Sequence, residues 1–393
     1  MSVLIEDSPR ANLDSWVREN VRRGAASGTV VTPFATPWED RRGSGIKPGA
    51  RRRAETLHGD QVTMWLDPMT HALQMSGVGD FRYYEQWDLW APDRRGMLNN
   101  AADRSDHVRR VFAVQAELGT PPLAPTILLH TGLSDTSVRA LELAREAIDQ
   151  QSDCWITVAG STSFWDSGHA LDAHLGALAG LEPAGWFLVP VKNLPTWPTE
   201  ADPGETQGLC RAARALGEDV PVHISHGDLA GLPAVAAGAA SVGTGWDRRQ
   251  RVCAASDYAV RDETPGQAGW LQRVTLRGLL GALSAGQADV LSVQDPALTR
   301  VLGGMPAAPS PRPRFDHHLD ALTRVISDLT AITDPARRYQ HLAGAYAAAT
   351  AFWPRVQQLT GASPGANAWI QELAAGLDRY AVSEGFIPPA RSI

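Results

Sequence analysis

The sequence predicts a TIM-type (β/α)8 barrel with a C-terminal helical extension, on three observations. From residue 29 onward, short apolar runs rich in β-branched residues alternate with Ala- and Leu-rich stretches of helical spacing, the order expected of parallel βα units. No GxGxxG turn follows the first run, which disfavours an open dinucleotide-binding sheet. The chain has 393 residues, more than the roughly 250 of one barrel, so a second, smaller part is expected.

Seven strands are legible, at residues 29–34 (TVVTPF), 62–67 (VTMWLD), 126–131 (TILLHT), 155–159 (WITVA), 186–192 (WFLVPVK), 222–225 (VHIS) and 241–245 (SVGTG). For the eighth, residues 71–77 (HALQMSG) and the DYAV run near Asp257 are both candidates. Helices are expected at 105–118, 134–148, 170–181, 205–216 and 232–239. A parallel crossover is almost always right-handed, so repeated units of this kind curl into a barrel. Residues 305–314 (MPAAPSPRPR) are too rich in proline to hold a helix and are expected to be a linker. The barrel domain is then 1–304, and a C-terminal helical domain occupies 315–393, where apolar residues recur at helical spacing, as in Leu319, Leu322, Val325, Ile326 and Leu329.

Apolar residues make up 44% of the chain and charged residues 20%, enough for a large core. The formal net charge of -7 disfavours a nucleic-acid partner unless a local basic patch exists. Arg51, Arg52 and Arg53, and Arg248, Arg249 and Arg251, are the clusters that could meet phosphate. Cys154, Cys210 and Cys253 are far apart and form no CxxC pair, so reduced thiols in a cytoplasmic protein are expected. The N-terminal residues show no basic segment followed by an apolar run, and no apolar stretch approaches about 20 residues, so neither secretion nor a membrane partner is expected.

Barrels of this type carry their active site at the C-terminal ends of the strands. The polar residues ending the runs are Thr32, Asp67, His130, Ser161, Lys192, His226 with Asp228, and Asp247. An acid, an imidazole and an amine at corresponding positions suit an enzyme. Asp67 is a candidate general base or anchor for a polar ligand edge, and Lys192 a candidate oxyanion binder. A metal centre, zinc included, is not expected: His223 and His226 point to different faces of a strand, and no HxH ends the first run. In residues 221–246, Gly227, Gly243 and Gly245 would let backbone amides approach a phosphate, or would simply permit tight turns. Of the thirteen tryptophans, Trp87, Trp90, Trp165, Trp197 and Trp246 fall in expected rim loops, where they could stack on a flat ligand or pack the loops.

Residues 221–253, ending GAASVGTGWDRRQR, resemble the late barrel strands of the tRNA-guanine transglycosylase superfamily, and residues 314–346, with their HHL segment, resemble its C-terminal helical region. The resemblance covers about a third of the chain, in pieces. It implies exchange of a purine base on a nucleic-acid strand, by one aspartate attacking the ribose and another in the base pocket. It makes Asp67 the pocket acid. The nucleophile position falls near Gly243, which cannot attack, and Asp247 is the nearby acid that would have to substitute. The family's cysteine-rich zinc motif is absent, although His317 and His318 lie in the corresponding region.

Three readings stay open. One is an enzyme acting on a nucleobase or nucleoside-like ligand, a transglycosylase-like transferase in which Asp67, Asp247 and Lys192 do the chemistry. His130, Ser161, His226, Asp228, Gly227, Gly243, Gly245, Trp246, Arg248 and Arg249 would then line its substrate site. The second is a phosphate- or flavin-binding barrel of another reaction class, although the sequence requires no cofactor. The third is a catalytically silent barrel used as a binding module.

Overall fold

The barrel begins ahead of the first expected strand, at Val3–Ile5. The computed structural model describes residues 2–40, 47–75, 77–79, 83–194, 196, 200–259 and 273–386. Its barrel strands are β1 (Val3–Ile5), β2 (Gly28–Val31), β3 (Thr63–Leu66), β4 (Leu128–Leu129), β5 (Trp155–Ser161), β6 (Gly185–Lys192), β7 (Val222–Ile224) and β8 (Ser241–Thr244). All eight are parallel and lie side by side in chain order, and β8 returns to β1 through Val3↔Val242, Leu4↔Gly243 and Ile5↔Thr244. This is the TIM-type barrel that the alternating runs predict.

The eighth strand is therefore β1, and neither candidate holds. Thr70–Gln74 is a 3-10 turn, entered through Met69 at φ 48, and Ala255–Asp257 is another. Ser76 and Val260, which belong to the two candidate runs, lie outside the described residues, as does Trp197.

Successive residues of a strand face opposite sides. Leu4, Val30, Trp65, Leu128, Phe187 and Val189 fill the barrel interior, whereas Ile5, Val31, Leu66, Ile156, Leu188 and Val242 face the helices. The helices that follow the first seven strands are α1 (Leu13–Arg22), α2 (Ala50–Gly59), α3 (Ala101–Leu118), α4 (Asp135–Gln150), α5 (Thr162–Trp165), α6 (His169–Ala179), α7 (Pro203–Leu216) and α8 (Leu232–Ala237). Their starts are chemically marked. The Asn100 side chain accepts from the Asp103 amide at 2.9 Å, Ser134 from that of Ser137 at 3.1 Å, and Asp202 from that of Glu205 at 2.8 Å, each meeting an amide that the helix leaves unpaired.

After β8 come α9 (Arg248–Arg251), the short β9 (Cys253–Ala254) beside β6, and the antiparallel hairpin of β10 (Arg273–Leu276) and β11 (Gly281–Ser284). Then follow α10 (Ala285–Gln294), α11 (Pro296–Val301), α12 (Pro311–Thr330), α13 (Pro335–Thr360) and α14 (Ala368–Ser383). Pro311 to Arg314, expected as linker, are the first turn of α12, because a proline in the first turn removes only a donor the helix would not use. Through α12 the chain reaches back to β1, α1 and α8, while α13 and α14 pack on α8 and α7. No described helix is long and apolar enough to cross a membrane.

Between β3 and β4 no strand ladder forms among the described residues. The buried side chain of Gln115 fills that gap: its Nε2 donates to Leu66 O at 3.0 Å and to Leu123 O at 2.8 Å, and its Oε1 accepts from Leu123 N at 3.1 Å. Replacing Gln115 by Leu leaves three buried backbone groups without partners, so the variant is expected to lose about 3 kcal/mol of stability. Urea denaturation measures this, and a loss below about 1 kcal/mol would show that the seam does not need Gln115.

Candidate functional site

Because β1 is short, the inward-facing position after Leu4 falls at its very end, and Glu6 occupies it. The Glu6 amide extends the ladder to Thr244 O at 2.8 Å, and its side chain is completely buried. The carboxylate Oε1 accepts from Ser225 Oγ at 2.9 Å and from the His226 amide at 3.0 Å, both at the end of β7. The Glu6 carbonyl accepts from Gln250 Nε2. Oε2 has no hydrogen-bond partner and lies 3.9 Å from His226 Nε2, while His223 Nε2 lies 3.9 Å from Oε1.

Gly243 on the neighbouring strand makes this placement possible. A Cβ there would stand 1.9 Å from Glu6 Oε1 and 2.7 Å from the His226 amide nitrogen. Gly245 likewise leaves room for Gln250, whose Nε2 would lie 2.5 Å from an added Cβ. These two glycines therefore do not form an open phosphate cradle; their space is taken by the carboxylate and the amide that steadies it. Gly227 serves packing against Ile224 at the turn after β7.

Asp67 continues β3 inward beyond Trp65. It is buried, and its Oδ1 accepts from the Met69 amide at 2.7 Å. Burial pushes its carboxyl up to about 7, against the pull of that amide, and the nearby charge of Glu6 adds to the rise. For Glu6 burial also acts upward, but the charge of His226 and the contact with His223 outweigh it and hold the carboxyl below its ordinary value. His71, one turn beyond Asp67, is held down to about 3 by burial and then by His226, so it is a neutral imidazole, and its Nε2 has no partner. His223, also neutral through burial, shares a 2.9 Å hydrogen bond from Nδ1 with Ser241 Oγ. Glu6, His71, His223 and His226 thus each carry a buried polar atom without a partner at one end of the barrel. Such atoms are rare in folded chains and mark where a ligand or water is wanted.

The expected site residues divide into three groups. Asp67 and His226 belong to this cluster, and His130 and Ser161 lie at the mouth, with His130 Nδ1 3.1 Å from Ser161 Oγ. Lys192 does not join them. Its parity on β6 turns it toward the helices, where it pairs with Glu205 of α7 and donates to Glu200 O at 3.0 Å. A small cavity of about 30 Å³ beside it is lined by Lys192, Glu205, Ile224, His226 and Leu373, and Asp67 does not line it.

Asp247 is also elsewhere. Arg10 grips it at 3.0 and 3.3 Å while stacking over Trp16 and Trp246, so this acid ties the end of β8 to that of β1. Arg248 and Arg249 both hold Asp257, at 3.0 and 3.4 Å. Asp228 meets His318 and Arg251 at 3.3 and 3.6 Å. Of the cluster that could meet phosphate, Arg53 is buried between Asp7 and Asp14, while Arg51 and Arg52 pair with Glu117 and Asp40. Trp87, Trp90, Trp165 and Trp246 are buried and serve packing, Trp90 lying flat on His107 at 3.6 Å. Among the described residues no group of three or more His, Cys, Asp or Glu could hold a metal ion.

Glu6, His71 and Gly243's role as its cradle escaped the sequence reading. The available signal was the VLI run ending in two acids, the same apolar-run-then-acid pattern as WLD at Asp67.

No protein-family model matches the chain, and no curated protein matches it. Thirteen chains among solved structures do. One is a Thermobacillus composti GH10 xylanase, at 9% identity over 83% of this chain and 96% of that one, with a TM-score of 0.37.

The Asp67 carboxyl has a measurable consequence. The folded protein holds this proton up to about pH 7, whereas an unfolded chain releases it near 3.8. Ionising the buried group therefore costs the fold stability as pH rises between those values, on the order of 4 kcal/mol in total, with no further change above. An Asp67→Asn variant lacks that loss. Between pH 4 and 7 its stability relative to wild type is expected to climb and then level off, as read from urea midpoints; a difference that stays flat across this range refutes the assignment.

Proposed function

We propose that the protein is a barrel enzyme that breaks and remakes the glycosidic bond of a nucleoside-like ligand, with Glu6 and Asp67 as its working pair. This reading is carried by two buried carboxyl groups at the same end of the barrel whose surroundings act oppositely: Glu6 is held below its ordinary value, and Asp67 is raised to about 7, so that it keeps its proton up to about neutral pH. Two carboxyls pushed apart in this way divide the roles of nucleophile and acid between them. The nucleoside-like ligand itself follows from the resemblance of residues 221–253 and 314–346 to the transglycosylases.

The local bonding assigns the atoms. Ser225 and the His226 amide occupy Glu6 Oε1 and fix the carboxylate plane, which leaves Oε2 with an unused lone pair. Oε2 attacks the anomeric carbon as the bond to the base breaks, and the Asp67 proton passes to the departing base nitrogen. An incoming base or water then gives its proton to the Asp67 carboxylate and displaces Glu6. Neutral His71, with Nε2 unpaired, is placed to hydrogen-bond the ligand without adding charge. The assignment moves the nucleophile from Asp247, which Arg10 neutralises, to Glu6. It also disfavours the phosphate- or flavin-binding reading, since the space over Gly243 and Gly245 is filled by protein.

Release or exchange of base from nucleosides and from nucleic acid tests this. Glu6→Gln and Asp67→Asn are each expected to lower turnover by about 100-fold or more. Wild-type protein inactive on every nucleoside and nucleic acid tried would favour the silent barrel, and activity untouched by both single variants would remove the pair from the chemistry.

A further inference from the structure

We infer that His318, carried in by α12, is a positioning residue that fixes the turn after β7 and thereby the Glu6 carboxylate. The turn is a strained one. His226 and Asp228 both adopt left-handed backbone, at φ 53 and 43, on either side of Gly227, which is not left-handed at φ -71. Non-glycine residues hold such angles only when their surroundings impose them. It is in this conformation that the His226 amide reaches Glu6 Oε1 at 3.0 Å.

The restraint is the Asp228 carboxylate, and the buried His318 ring is its tether. His318 Nε2 lies 3.3 Å from Asp228 Oδ1 and 3.0 Å from Thr244 Oγ1 at the end of β8, while Nδ1 lies 2.8 Å from Thr275 Oγ1 on β10. Burial, and next the charge of Arg251, hold the ring below its ordinary pKa, so it is a neutral imidazole. Nε2 hydrogen-bonds Thr244 Oγ1 with the Asp228 carboxylate close beside it, and a carboxylate repels a ring lone pair, so the tautomer that suits the site carries its proton on Nε2, while Thr275 donates to Nδ1. Arg251 Nη1 stands 3.6 Å from Asp228 Oδ2, and its Nε donates to Gly245 O at 2.7 Å, which ties the same turn to the segment beyond β8. His318 thus joins the β7 turn, the end of β8 and the hairpin through one ring. Glu6 shares its backbone ladder with that same Thr244.

This inference rests on Glu6 being the working carboxylate, but its test reads Glu6 directly and needs no turnover. Full-length protein with 13C-labelled glutamate side chains is titrated by NMR, with Glu6→Gln identifying the Glu6 signal. In wild type that signal is expected to titrate below the range of ordinary glutamates. His318→Gln, whose amide NH2 takes the place of Nε2, is expected to leave the midpoint within about 0.3 of a pH unit. His318→Asn, which mimics only Nδ1, is expected to raise it by about one unit or more, a tenfold weaker hold on the ionised form. An unmoved Glu6 midpoint in folded His318→Asn, or equal shifts in the two variants, would overturn the inference. Should His318→Asn fail to fold, Thr275→Val removes the hairpin anchor alone and must raise the midpoint in the same direction; no change there overturns it equally. A clear shift in a protein inactive on nucleosides would retain the clamp and refute only the proposed reaction.

Discussion

Everything at the C-terminal end of this barrel follows from the burial of one carboxylate. An ionised group without access to water is tolerated only when hydrogen bonds and opposite charge replace its hydration. Glu6 obtains them from β7, through Ser225 and the His226 amide, and from the charge of the His226 imidazole beside it. Space for the group comes from β8, where Gly243 has no Cβ to obstruct it. The first, seventh and eighth strands are thus chosen together: a side chain at 243, or a turn after β7 that aimed its amide elsewhere, would leave the charge unsupported. Asp67 is raised chiefly by its own burial, and the nearby charge of Glu6 adds to the rise.

The start of the barrel and the first long helix of the C-terminal region meet at this point. Glu6 directly follows the first strand, while α12 runs against β1, α1 and α8 and delivers His318 to the turn that holds Glu6. Removing the helical extension would therefore disturb the site as well as uncover apolar surface. A second buried ionic group stands just outside the barrel wall, where Asp7 takes Lys47, Arg53 and the Thr36 hydroxyl. Burial, with Arg53 beside it, brings the Lys47 amine down to about 8, yet the amine remains bound to Asp7. Adjacent acids on β1 thus serve opposite sides of the strand, Glu6 inward and Asp7 outward, as strand alternation requires.

Much of the architecture could be read from pattern. Runs such as WITVA and WFLVPVK are long enough to show β-branched enrichment, and the helices between them carry capping residues at their starts. What escaped was short. β1 has three residues and no preceding turn signal, and with it went Glu6; β4 keeps only Leu128–Leu129 as a ladder, although the run TILLHT reads longer. Lys192 and Asp247 were candidates because each ends a strand, but the end of a strand has two faces. Lys192 lies on the helix-facing side and meets Glu205, and Asp247, beyond β8, meets Arg10.

By itself the sequence determined that parallel strands and helices alternate, where most of them lie, and that Asp67 closes one of them, because period and composition are local properties. Only the tertiary structure decided which acids lie near one another. Glu6 and Gly243 are distant in the chain, and their fit depends on the parallel register that sets Leu4 beside Gly243. Likewise His318 and Asp228 meet only because α12 folds back across the barrel. Whether a carboxyl is ionised, paired or buried with its proton is a matter of neighbours that local pattern does not specify, and here those neighbours come from opposite ends of the chain.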